Sequence, residues 1–248
     1  MTPSEPEIPL TFAVRALGRY FRYQVEGLEH LVGAPTGLIV AYHGRPFSWD
    51  VVFLTVRLFD RTGRYPLPLT LSGVASVPWV GEQLGRVAVY GRPDAAAVAR
   101  ARAEYRHFMV APGGLREALR PSWQGRYTVD FGSRRGYLKL AMEHGLPLYP
   151  VVATGVDDAY LSLANGHTLS RRLFGHGRAP IFLGLGVGGV FPFALPIPVR
   201  VRQRIGPPIH LEALAGELGL SGDALIEAAH ERVTGTMQQM LDALRSEG

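Results

Sequence analysis

At 248 residues with 47% apolar side chains, the chain is long enough to build one sizeable α/β domain, and its charged fraction of 19% leaves room for an apolar surface patch. The net charge of +5 comes almost wholly from arginines, with Lys139 the sole lysine; they are spread along the chain, which argues against a nucleic-acid partner and fits an anionic membrane surface or a phosphate-bearing substrate. The absence of cysteine excludes disulfides, a thiolate nucleophile and cysteine-ligated zinc.

The arginine, alanine and glycine content points to a GC-rich, bacterial genome. "MTPSEPEIPL" is acidic and proline-broken and reads as no signal peptide. Residues 10–24 carry apolar groups at helical spacing with Arg15, Arg19 and Arg22 between them, which predicts an amphipathic helix over about 9–24 that packs on the core or lies on lipid. "TGLIVAY" (36–42) predicts a buried strand and "VVFLTVRLFDRTG" (51–63) a helix stopped by glycine. "PLPLTLSG" and "GRVAVYG" (85–91) predict extended segments. "PDAAAVARARAEYRH" (93–107) opens with Pro and Asp and predicts a helix. "FMVAPGG" (108–114) is a strand entering a glycine turn, 134–145 a helix, 146–155 a strand, and "RVRQRIG" (200–206) a strand with three arginines on one face. The C-terminal helix, about 221–246, is capped at Ser221. Strands alternating with helices predict an α/β fold, a single domain over 1–248 with a largely parallel central sheet flanked by helices.

Residues 179–199, "APIFLGLGVGGVFPFALPIPV", carry no charge. The prolines and glycines rule out a continuous helix, so the expectation is a strand, a turn and an extended loop with an apolar surface. Gly184, Gly186 and Gly189 match GxGxxG, but "VFPFALPIPV" after them is no helix start, so no dinucleotide cofactor is expected. No metal-ligand spacing occurs among the histidines, and no GxSxG elbow or Walker A loop is present.

"IVAYHGRPFSWDVVFL" (39–54) places His43 at the C-terminal end of a strand and Asp50 at the start of the next helix. Ligands of open α/β sheets collect at that edge, and a carboxylate there could orient an imidazole acting as a base. A second strand end, "VAPGGLREAL" (110–119), sets Gly113 and Gly114 before Arg116, which reads as an anion site. A third presents Arg92.

These motifs resemble the lysophospholipid and glycerolipid acyltransferases, the superfamily of 1-acylglycerol-3-phosphate acyltransferase, nearest the diacylglycerol acyltransferase type 2-like branch. The likeness runs over roughly 25–209, and "APGGLREAL" followed by "RRGYLKLAMEHGLPLYPVVATG" is its most specific part. It implies His43 as general base and Asp50 as its carboxylate partner, although Ser48 stands at the family's usual spacing. It implies Arg116, Arg92, Gly113, Gly114 and Glu117 as substrate-binding residues, while Gly44, Gly113 and Gly114 are candidate oxyanion donors. The motif that commonly reads Pro-Glu-Gly-Thr-Arg is here Pro112-Gly113-Gly114-Leu115-Arg116. The implied reaction moves an acyl group from acyl-CoA or acyl-ACP to a lipid hydroxyl, with no cofactor and no metal. The implied partners are a lipid acceptor, an acyl thioester donor and the inner face of the cell membrane, met peripherally from the cytoplasm. An acyl-thioesterase or a non-catalytic lipid-binding protein on the same fold are the alternatives.

Overall fold

Leu38–Ala41 (β2) is apolar at every position, as a strand covered on both faces must be. Its side chains divide by parity. Leu38, Val40 and Tyr42 enter the core cluster that contains Ala229, Val233 and Met237, whereas Ile39 and Ala41 enter a second cluster with Leu54 and Leu58. The computed structural model describes residues 7, 10–45, 48–70, 89–90, 92–176 and 180–247. The strands are β1 (Gln24–Glu26), β2, β3 (Leu67–Thr70), β4 (Val89–Tyr90), β5 (Phe108–Val110), β6 (Leu148–Thr154), β7 (Leu161–Ser162), β8 (Gly184–Gly186), β9 (Gly189–Val190) and β10 (Arg202–Ile205). The helices are α1 (Leu10–Tyr20), α2 (Trp49–Thr62), α3 (Ala95–Ala103), α4 (Gly114–Ala118), α5 (Gly136–His144), α6 (Gly166–Phe174), α7 (Leu211–Leu218) and α8 (Gly222–Ser246).

The seven-stranded sheet runs β1-β10-β6-β2-β5-β3-β4. Its pairings are parallel except β10 with β6. The mixed α/β architecture with a mostly parallel sheet is therefore as expected. Because β6, β2 and β5 are adjacent and parallel, the turns that follow them emerge side by side at one edge. Those turns carry Asp157, His43 and Gly113. On α8, Leu225, Ala229, Val233, Met237, Leu241 and Leu244 are buried at helical spacing, which holds this helix against the sheet.

Several local expectations need correction. The first helix stops at Tyr20, because Arg22 turns left-handed (φ 46°) and Gln24 opens β1. The helix expected over 93–107 is shorter, Ala95–Ala103, with the Ala97 N–H donating to Asp94 at 2.7 Å. Ser221 occupies the N-cap of α8, but its side chain makes no capping hydrogen bond. Parts of the expected extended segments, 71–73 and 85–88, lie outside the described residues.

The uncharged stretch forms most of a second, three-stranded sheet, β7-β8-β9. Leu161 pairs with Leu185 and Leu185 with Val190, so three apolar side chains stand in a row on the exposed face. Val187 and its bridge partner Leu195 extend that plate, and Phe193 beside it is 95% exposed. Phe191 is different: it is half-buried, with its ring 5.4 Å from Phe182 and 5.7 Å from Tyr160. Arg202 and Arg204 do share a face, but both pair with Glu26 and Glu247, so they are neutralised within the protein. No helix among the described residues is long and apolar enough to cross a membrane.

Candidate active site

His43 leaves the end of β2 half-buried. Its Nδ1 lies 2.9 Å from the carbonyl oxygen of Gly44. A carbonyl oxygen only accepts, so Nδ1 carries the proton and Nε2 keeps its lone pair. Burial lowers the imidazole pKa to about 4, against the raising effects of the Gly44 hydrogen bond and the Asp157 charge. The ring is therefore neutral across the physiological range, in the tautomer a base at Nε2 requires.

Asp50 is brought to the same turn, but the imidazole is oriented by Gly44. A Cβ added to Gly44 would lie 3.2 Å from Asp50 Oδ1 and 2.5 Å from the Val156 side chain, so only glycine fits between them. Asp50 is 0% exposed, and neither carboxylate oxygen has a well-formed hydrogen bond among the described residues. Burial raises its pKa to about 7, although the amides of Val51, Asp50 and Gly44 pull it down. Ser48, its rival in spacing, sits left-handed at φ 48° with its hydroxyl buried and without a hydrogen-bond partner among the described residues. A buried carboxyl whose pKa is raised on folding costs stability once the unfolded chain ionises and the folded one does not. Stability is then highest below pH 4 and falls as pH rises toward 7 on account of this group. Asp50→Asn is expected to melt higher than wild type at pH 8, with the difference gone near pH 4. Equal melting temperatures at pH 8 would contradict the burial assignment.

The turn after β5 is built around Glu117. This carboxylate is fully buried, accepting the His43 N–H at 3.0 Å and the Asp130 N–H at 2.7 Å. Burial raises its pKa to about 8, opposed by those amides and Arg120. The expectation of Glu117 as a substrate-binding residue is thus corrected: its oxygens face inward and tie the His43 turn to the 130 loop. Gly113 is required here, since a Cβ would fall 1.9 Å from Glu117 Oε2. Its backbone is ordinary right-handed helix (φ −61°), so alanine meets only the clash. Gly113→Ala should therefore expel the Glu117 side chain and cost about 2–4 kcal/mol, from two orphaned buried amides and overpacking. Chemical denaturation measures it, and a cost under about 1 kcal/mol would show that Glu117 is dispensable to the turn.

Arg116 is exposed and donates from Nε to Asp130 at 2.7 Å. It stands on the rim of a cleft of about 800 Å³ that Arg120 and Arg134 also line. Arg92 is not brought there: it is held in an exposed ion pair with Glu143 on α5. Of the three candidate oxyanion donors, Gly114 spends its N–H on the Ala111 carbonyl, and the Gly44 N–H is turned toward Asp50.

Sequence reasoning missed a buried polar network beneath His43. Asp157, in the turn after β6, accepts from the Tyr42 hydroxyl at 2.7 Å and the Tyr127 N–H at 2.8 Å. Arg120 donates to the Tyr42 hydroxyl and to the Thr128 carbonyl, each at 2.7 Å. Arg45, fully buried, donates to Ser122 Oγ at 3.0 Å and approaches Asp157 at 4.0 Å. The charges lie on three loops, so fixing them fixes the turn that bears the histidine.

A sequence profile of the diacylglycerol acyltransferase family matches residues 87–217, just over half of the chain. The chain belongs to this acyltransferase family. The matched region holds Gly113, Arg116, Glu117 and Asp157 and begins beyond His43 and Asp50. Over 224 residues the chain is 27% identical to the "DGAT1/2-independent enzyme synthesizing storage lipids" of Gallus gallus, covering 88% of this chain and 63% of that protein. The Homo sapiens protein of the same name is 26% identical, with 88% and 65% covered. The family member thus spans under two thirds of these curated relatives. An uncharacterized protein of Mycobacterium leprae is 28% identical over 77% of the chain and 52% of its own length. In fold, the family member resembles the 1-acyl-sn-glycerophosphate acyltransferase PlsC of Thermotoga maritima, with a TM-score of 0.52 at 15% identity over 94% of this chain and 80% of that one.

Proposed function

We propose that this chain transfers a fatty acyl group from an acyl thioester, acyl-CoA or acyl-ACP, to the hydroxyl of a lysophospholipid, glycerolipid or related lipid alcohol. The observation that carries the reading is the His43 tautomer, with Nδ1 committed to Gly44 and Nε2 left as acceptor at the sheet edge. The acceptor hydroxyl gives its proton to Nε2 as its oxygen attacks the thioester carbonyl. The tetrahedral intermediate collapses, the C–S bond breaks, and the thiolate takes the proton back from the imidazolium. Asp50 and Asp157 supply negative charge near the transient imidazolium. Glu117 positions the turn, Arg116 meets an anionic part of a substrate, and the Gly113 amide is the remaining oxyanion candidate. No cofactor or metal enters this scheme.

The plate of Leu161, Leu185, Val187, Val190 and Leu195 is the proposed route to lipid, seating the protein peripherally on an anionic bilayer, on the cytoplasmic side of the cell membrane. Between Asp158 and Glu212 the chain has no acidic residue, which suits a negative surface. Incubation with labelled acyl-CoA or acyl-ACP and a panel of lysophospholipids, mono- and diacylglycerols and long-chain alcohols tests the reaction. An acylated lipid is the expected product. Free fatty acid alone, with or without acceptor, would make the protein a thioesterase, and neither product would leave a lipid-binding protein.

A further inference from the structure

At the edge of the sheet opposite His43, a second concavity of about 340 Å³ opens where β2, β3 and β5 begin. That volume lies within the usual range of small-molecule sites. The floor is apolar, for Leu31, Leu58 and Tyr65 are buried core residues. The rim is basic. Arg61 stands in the last turn of α2, Arg64 follows that helix, and Glu104 is the acid among the lining residues. Arg106 takes that acid at 3.3 Å and donates to the Tyr65 carbonyl at 2.9 Å. Arg61 and Arg64 form no ion pair among the described residues, so three arginines face one glutamate and positive charge is in surplus. His107 adds none: its Nδ1 accepts from the Gly37 N–H at 3.3 Å, its Nε2 donates to the Leu31 carbonyl at 3.0 Å, and burial lowers its pKa. Like charges gathered in one concavity repel one another, and an anion relieves that cost.

Tyr105 stands at the mouth. Helix α3 closes in a turn where the Arg106 N–H donates to the Ala101 carbonyl at 2.9 Å and the Tyr105 N–H to the Arg102 carbonyl at 3.2 Å. The left-handed position of such a turn usually falls to glycine, yet Tyr105 holds it at φ 53°. Burial does not offset the strain, because Tyr105 is 75% exposed and its ring packs on no other aromatic ring among the described residues. A strained, exposed ring beside two unmatched guanidiniums has no role in the packing, and a ligand gives it one.

We propose that this cavity is a second ligand site, remote from His43, for an aromatic anion. Its phosphate or carboxylate meets Arg61 and Arg64, whose planar forks suit either group, and its ring lies against Tyr105 above the Leu31–Leu58 floor. The proposal does not rest on the acyl-transfer reading.

Adenosine monophosphate, naphthoate, decanoate and inorganic phosphate are titrated by calorimetry into wild type, Tyr105→Gly and Arg61→Gln, with no acyl substrate present. Glycine relieves the left-handed strain, so Tyr105→Gly should melt no lower than wild type. Arg61 is exposed, so Arg61→Gln should melt like wild type. At least one of the two aromatic anions should bind wild type more tightly than phosphate and decanoate, which carry charge but no ring. Its affinity should fall about tenfold in each variant, through the lost ring contact or the lost charge-assisted hydrogen bond. Binding of adenosine monophosphate alone would make the ligand a phosphate, and of naphthoate alone a carboxylate. Binding of neither aromatic anion, decanoate bound as tightly as they are, or unchanged affinity in either folded variant overturns the proposal. Because no acyl group is involved, these outcomes stand whether or not the protein transfers one.

Discussion

Replacing His43 with alanine is expected to lower acyl transfer by about 10²- to 10⁴-fold, the usual contribution of a positioned general base, without unfolding the protein. The ring donates one hydrogen bond, to the carbonyl of the next residue, so its removal orphans little. Its backbone N–H stays on Glu117. The loss should appear in kcat and kcat/KM alike, since proton removal belongs to the transition state. A folded His43→Ala variant retaining more than about a tenth of wild-type turnover would remove His43 from the chemistry. The pH profile carries a second signature. Burial holds the imidazole near pKa 4, so its base form persists well below neutrality. Asp50, raised to about 7, changes charge across neutrality instead. Wild-type kcat/KM should therefore fall from pH 8 to pH 6 as Asp50 protonates and its charge no longer supports the imidazolium. Asp50→Asn should be slower at pH 8 and lose the part of the fall centred near 7, keeping only what Glu117, raised to about 8, contributes. A fall of unchanged midpoint in Asp50→Asn would assign it to another group, and a larger loss in Ser48→Ala would make the serine the partner.

The histidine, the glycine turn and Arg116 were legible because each follows an apolar run and opens a helix, a pattern visible without coordinates. The carboxylates behind them were not. Asp157 lies in "GVDDAY" beside Asp158, and nothing in that string separates a buried acid from its half-buried neighbour. Arg45 and Arg120 belong to no motif that would set them apart from the other arginines, yet both are buried. The substrate-binding role for Glu117 came from the family resemblance, and α4 is too short, at five residues, to show which side faces inward. The small sheet was partly legible: prolines and glycines excluded a helix, but strands of two or three residues have no period to read. Arg171 lines the cleft from α6, a placement that no motif in the sequence announces.

Vesicle flotation should depend on the apolar plate. Phe193 is 95% exposed and Leu195 65%, and neither side chain is needed to fill the core. Leu195 pairs with Val187 through backbone groups at 2.8 and 3.2 Å, which a substitution leaves in place. Apolar area entering the interface contributes roughly 25 cal/mol per Å², and each basic residue near an anionic surface about 1 kcal/mol. Arg171, Arg172 and Arg200 are exposed, whereas Arg202 and Arg204 are held by Glu26 and Glu247, so binding leans on the plate more than on the arginine strand. Wild type should float with vesicles containing phosphatidylglycerol, less so with neutral ones. Phe193→Asp with Leu195→Asp should cut the bound fraction about tenfold or more at unchanged melting temperature, because each carboxylate would enter the interface charged or stay out of it. Phe191 is the wrong residue for this test: packed against Phe182 and Tyr160, its replacement would report folding instead. A wild type that never floats, or a double variant that floats equally well, would mean that the plate faces something other than lipid.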